Sequence, residues 1–111
     1  MENVINYKGT DYELVFNLNV METIQDKYGS IEAWSNLTDA GDEPNLKAVI
    51  FGLMEMMNEG IEIYNEDHED KRPLLTHKQV GRIISAYGLG NAAVALNKTV
   101  IESTETDEKN L

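Results

Sequence analysis

The sequence predicts an α+β protein that is mostly α, with an N-terminal β-hairpin followed by four to five helices packed as a small bundle. Three observations predict it. Apolar residues alternate with polar ones only near the start, in INYKGTDYELVFNLN. From residue 19 onward, apolar positions recur at three- and four-residue spacing, the period of a helix with one buried face. Cap-forming Asn, Ser and Thr residues stand before these stretches, and Gly follows two of them.

In the hairpin, Ile5 and Tyr7 point one way, Lys8-Gly9-Thr10-Asp11 supply the turn, and Tyr12, Leu14 and Phe16 resume the alternation. Val15 makes the second strand apolar on both faces. One face can then pack while the other meets a partner. A lone hairpin is marginal in water, so helices or a neighbouring chain must cover it. Asn19 with Glu22 has the spacing of a capping box. It opens a helix over 20–28 that carries Val20, Ile24 and Tyr28 and stops at Gly29. Ser30 caps a short helix over 31–37 bearing Trp34. TDAGDEP is a loop, and Pro44 suits the first turn of the next helix.

That helix carries the strongest periodic signal. Leu46, Val49, Ile50, Leu53, Met57, Ile61 and Tyr64 form a stripe, and Phe51, Met54 and Met56 widen it. Gly52 and Gly60 cost about 1 kcal/mol each against Ala in a helix, so they are expected where another element approaches closely. NEDHEDKRP is a polar loop. Thr76 and Gln79 repeat the capping-box spacing and open a helix with Val80, Ile83, Ile84 and Tyr87 inward, ended by Gly88. Asn91 is expected to cap a last helix with Ala92, Ala93, Leu96, Val100 and Ile101 inward. A single domain over 1–101 is expected, followed by a flexible acidic tail over 102–111, where no apolar period survives.

The chain has 111 residues, 20 acidic and 9 basic, for a net charge of -11, and no cysteine. Disulfides and thiolate metal sites are therefore out. MENVINYKGTDYE has no basic n-region and no apolar h-region, so no signal peptide is expected. No apolar run approaches membrane-spanning length. A soluble cytoplasmic protein is the expectation.

Four kinds of chemistry can be weighed against ordinary structure. THKQVGRIISAYGLGNAAVALNKTV has the outline of a helix-turn-helix, but its second helix opens with Asn91-Ala92-Ala93-Val94-Ala95, which offers little to base edges. With so few scattered cations to neutralise phosphates, a plain αα-hairpin is expected. Neither register of Glu66-Asp67-His68-Glu69-Asp70 supplies both the Gly and the terminal Glu of a calcium loop, and His77 is too far along for zinc, so a solvated loop and no cofactor are expected. No nucleophile elbow or phosphate loop is present, so no enzyme is expected. Met54, Met56 and Met57, with Met21, are flexible and polarisable. They serve either as core filler or as an adaptable surface for a partner helix. Met54 and Met57 cannot share one narrow face with Met56, which favours the surface. Val15, Phe16, Phe51, Met54 and Met57 are the expected partner-binding residues.

The order of these parts resembles the tail assembly chaperones of long-tailed phages and prophages of Gram-positive bacteria. In that family a Y-x-L-x-F-(N/D)-L segment precedes a helix ending in (K/E)-(Y/F)-G-S, and an L-T-x-x-(Q/E)-V-G-x-(I/L)-I segment precedes a short last helix. Tyr12, Leu14, Phe16, Leu18, Tyr28, Gly29, Ser30, Leu75, Thr76, Val80, Gly81, Ile83 and Ile84 match that outline. The resemblance implies a protein without cofactor or catalytic residues. It would coat the apolar helical tape measure protein and keep it soluble until the tail tube polymerises. It also implies that this chain is the shorter of two forms, a frameshift-extended one recruiting the tail tube protein. Its place would be the host cytoplasm and not the finished virion. A homo-oligomer, whether dimer or ring, is compatible with the hairpin edge and the Met stripe. No nucleic acid or membrane partner is expected. A second reading is an acidic regulatory protein, either a DNA mimic or a transcription-factor partner. The clustering of acids at 39–43, 66–70 and 102–108 in loops and tail argues against it.

Overall fold

The computed structural model describes residues 3–41 and 43–109. A two-stranded antiparallel sheet, β1 (Val4–Tyr7) and β2 (Thr10–Glu13), is followed by five helices: α1 (Leu18–Tyr28), α2 (Ile31–Thr38), α3 (Leu46–Asp67), α4 (His77–Tyr87) and α5 (Leu89–Lys109). Tyr7 pairs with Thr10 and Val4 with Glu13, so only Lys8 and Gly9 form the turn. Both have positive φ, 53° and 83°. That is the hand of turn whose twist matches a two-residue hairpin.

The second strand is shorter than its alternation suggests. It ends at Glu13, and Leu14 to Phe16 continue as a link from which the Leu14 and Phe16 side chains enter the core. The link is tied down by hydrogen bonds from Leu14 N–H to Asn3 O (2.8 Å) and from Val15 N–H to Met56 O (3.3 Å). The cap of α1 is Asn17, not Asn19: the Asn17 side chain accepts from Val20 N–H at 3.2 Å. The side-chain amides of Asn17 and Asn19 both donate to the Glu59 carboxylate of α3, at 2.8 and 3.1 Å. Gly29 at φ 92° stops α1 and Ser30 caps α2, as the sequence predicts. Pro44 lies before the Asn45 cap of α3 and not inside its first turn.

α3 is the hub. It packs against β2, α1, α2, α4 and α5. A helix enclosed on so many sides must be apolar around most of its circumference, which accounts for its wide stripe. Gly52 and Gly60 are where neighbours come closest. A Cβ on Gly52 would lie 2.3 Å from Cζ2 of Trp34, and one on Gly60 would lie 2.8 Å from the Glu13 carbonyl oxygen. Trp34 is wholly buried, stacks on Phe16 with ring centroids 6.2 Å apart, and donates its indole N–H to Ala48 O at 3.0 Å.

Thr76 and Gln79 form the expected capping box of α4, and Gly88 ends it. α5 starts at Leu89, so Asn91 is inside the helix, where its amide donates to Tyr87 O. Ala92 and Leu96 are buried as expected, but Thr99 takes the third inward place and Ile101 is exposed. Helical backbone continues to Lys109, past the boundary expected at 101. Residues 91–109 contain no Gly or Pro to stop it. Met1, Glu2, Asp42, Asn110 and Leu111 lie outside the described residues.

Candidate partner-binding surfaces

The five residues expected to touch a partner divide in two. Phe16 is 6 % exposed and Met57 1 % exposed, and both belong to the core. For these two the expectation is corrected: Phe16 is held against Trp34, and α3 has elements on either side, so Met57 and Met56 both fit inside. Val15, Phe51 and Met54 are half-buried. Phe51 and Met54, three residues apart, lie on the outer arc of α3. The Tyr28 ring meets Phe51 edge-on at 5.8 Å, and the Lys27 ammonium sits 4.7 Å from the Phe51 ring centre. A cation over an aromatic face adds attraction while leaving the ring partly open to water.

A second surface was not legible beforehand. Leu18, Asn19, Met21, Glu22 and Gln25 of α1, with Ile31 at the start of α2, line an open groove. Leu18 is 79 % exposed, more than any other large apolar residue among those described. Its exposure follows from the cap: with Asn17 capping, Leu18 is the first helical residue and projects from the end of α1. Leu18, Glu22 and Gln25 then share one face at i, i+4 and i+7. The sharp turn at Gly29-Ser30 brings Ile31 alongside.

A row of carboxylates runs near this groove. Glu55, Glu59, Glu62 and Glu66 follow one another along a single face of α3. Glu59 reaches Asn17 and Asn19. The Glu55 carboxyl is held above the ordinary glutamate range, first by partial burial and then by repulsion from Glu62 and Glu59.

The polar loop after α3 is organised by side chains of that helix. Asn65 accepts from Arg72 N–H (2.8 Å) and donates to Arg72 O (3.0 Å). Asn58, seven residues earlier, does the same to Leu75, at 2.8 and 3.0 Å. Seven residues of helix span roughly 10 Å, and so do three residues of extended chain. The loop can therefore run back along α3 in register with both asparagines. Tyr64 stacks on His68 with ring centroids 3.7 Å apart, takes Arg72 at 4.2 Å from its centre, and donates its hydroxyl to Asp70 at 3.0 Å. That hydrogen bond holds the Asp70 carboxyl below its ordinary range. The His68 ring shares a 2.8 Å hydrogen bond with Tyr64 O. A carbonyl only accepts, so Nδ1 donates. Among the described residues, no three His, Cys, Asp or Glu side chains gather where a metal could sit.

α4 and α5 meet at Gly88, and α5 carries no Lys or Arg before Lys98. The last helix also presents an apolar strip to solvent. Val94 is 68 % exposed and Ile101 55 %, with Lys98 between them at i+4. Among the described residues, no helix is long and apolar enough to cross a membrane. Comparison with known protein families, with curated proteins and with solved structures returns no match to this chain.

Proposed function

We propose that this protein is a non-enzymatic tail assembly chaperone of a phage or prophage, which covers apolar helical segments of the tape measure protein until the tail tube forms around them. It acts in the host cytoplasm and is left out of the finished virion. The observation that carries this reading is the combination of strong acidity with apolar side chains left at the surface. A chain of net charge -11 leaves Leu18, Val94 and Ile101 open and Phe51 and Met54 half open. Exposed apolar surface marks sites of association. A surplus of carboxylates keeps the resulting complexes apart in solution. The resemblance through Tyr12, Leu14, Phe16 and Leu18, and through Leu75 to Ile84, supplies the identity of the client.

The capture surface in this reading is the outer arc of α3, with Phe51 and Met54, together with Val15, whose N–H donates to Met56 O of the same helix. Weak contacts by many copies along one long client would add up through avidity and still release when the tube polymerises. The test is co-expression with the tape measure protein. The expected result is soluble recovery of the pair, lost in Met54→Asp while the variant's melting curve stays cooperative. A tape measure protein that remains insoluble beside wild-type chain overturns the reading.

One observation favours an acidic regulator, either a DNA mimic or a transcription-factor partner: the glutamate row on α3, a more regular array than the loops offer. The row is partly committed, because Glu59 caps the α1 entry through two asparagines and Glu55 is half-buried. Retrieval of a polymerase, repressor or nuclease from host extract, in place of a tail protein, would select that reading.

A further inference from the structure

The α1–α2 groove and the outer strip of α5 match each other. Along α1, Leu18, Glu22 and Gln25 stand at i, i+4 and i+7, with Met21 and Ile31 completing the apolar wall. Along α5, Val94, Lys98 and Ile101 stand at i, i+4 and i+7. Glu22 lines the groove with the apolar Leu18, Met21 and Ile31, Lys98 stands between Val94 and Ile101, and the two charges are opposite. Leu18, Val94 and Ile101 are also among the most exposed large apolar side chains described. On one chain the two surfaces lie on different helices, α1 and α5. We propose that the α1–α2 groove of one copy receives the α5 strip of a second copy, with Glu22 facing Lys98 and the apolar residues closing on either side.

The occupant follows from sign as well as shape. Among the described residues, the exposed cations Lys78 and Arg82 of α4 have no exposed large apolar residue on their helix, and exposed Lys47 of α3 has Leu46 beside it but no second exposed large apolar residue within the next two turns to fill the groove. Glu102, next to Ile101, keeps its charge but is held toward its own chain, where Asn3 Nδ2 donates to it at 3.0 Å. Since the two surfaces differ, the contact joins unlike faces and repeats into a ring or an open row. Two copies of net charge -11 repel at long range. Association is therefore weak in dilute solution and grows with concentration and moderate salt. Copies seated along one client would meet this condition, but the contact does not depend on the identity of the client.

The experiment is sedimentation of the full chain over a wide concentration range in moderate salt. The mass of the wild-type chain is expected to rise above the 12.5 kDa monomer. Leu18→Asp should weaken association at least about tenfold, the effect of losing one buried leucine contact. Its fold should be unchanged, since the side chain lies in solvent and an acidic group suits the first turn of a helix. Glu22→Lys and Lys98→Glu should each stay monomeric alone, and an equimolar mixture of the two should associate, because each then supplies the charge the other lacks. A wild-type chain that stays monomeric throughout overturns the proposal. So does association unaffected by Leu18→Asp, or a mixture that remains as monomeric as its components. Association that survives while the tape measure protein is not captured sinks the functional reading and leaves this contact standing.

Discussion

Gly52 and Gly60 show how far α3 depends on single atoms. Each glycine weakens the helix by about 1 kcal/mol relative to Ala, so on propensity alone Ala would stabilise. The surroundings decide otherwise. The Cβ of an alanine at 52 would enter the Trp34 ring, which cannot move because Phe16 stacks on it and Ala48 O holds its N–H. Overpacking of this kind costs about 1–3 kcal/mol. Gly52→Ala is thus expected to lower stability by up to about 2 kcal/mol net, read as a drop in the urea midpoint. Gly60→Ala should also destabilise, because its Cβ meets a backbone oxygen of β2 and must push the hairpin from α3. A raised midpoint for either variant would mean that the close approach is absent. Glu55 makes the opposite case, a residue the fold tolerates at a cost. Its carboxyl titrates above the ordinary glutamate value, so protonation favours the folded state. That contribution is complete below the unfolded value and is lost as pH rises through the folded one. Glu55→Gln should therefore be more stable than wild type at neutral pH, by less than about 1 kcal/mol at so solvated a site. The gap should close below the ordinary glutamate range. A gap that does not change with pH would place its origin elsewhere.

At the scale of elements, the return from α3 to α4 rests on two asparagine side chains that mimic a strand partner. Asn58 lies in a part-buried setting and satisfies both the N–H and the C=O of Leu75, whereas Asn65 does so for Arg72 near solvent. Water can replace Asn65 but not readily Asn58. Leaving buried backbone groups unpaired costs about 1–3 kcal/mol. Asn58→Ala should therefore lose roughly that much, and Asn65→Ala less than about half of it. Faster amide exchange at Leu75 in Asn58→Ala would locate the effect, and equal losses in the two variants would refute the burial argument. The same contrast explains what could be read beforehand. Ser30, Thr76, Gly29 and Gly88 are local signals, and each ends or starts its helix where the sequence places it. The choice between Asn17 and Asn19 was not local. Both are good caps, and both reach Glu59, forty or more residues away, so the start of α1 is set together with its docking on α3. Periodicity identified α3 but not how many elements surround it, so Met57 and Phe16 looked available when they are enclosed. Leu18 was hidden by its position at the junction of a strand-like pattern and a helix. Only the register of α1 puts it in solvent.

For the whole molecule, charge and apolar exposure pull in opposite directions, and salt sets the balance between them. The described chain measures 37 × 36 × 26 Å. The screening length is about 30 Å at about 0.01 M salt and about 8 Å at about 0.15 M. At the lower value most of the net charge of -11 repels itself across the entire particle, and the glutamate row of α3 adds a short-range share. At the higher value only near neighbours are felt. Repulsion within the compact state opposes folding more than repulsion in the expanded chain. The thermal midpoint of dilute protein should therefore rise by a few degrees between those two salt concentrations. Association should increase over the same range, since repulsion between copies fades while the apolar contacts remain. Leu18→Asp separates the two effects. It should keep the rise in midpoint, which depends on net charge, and lose the association, which depends on the groove. A midpoint that falls with added salt would mean that attractive pairs outweigh the surplus of carboxylates, and the acidic surface would then be holding the fold together instead of straining it.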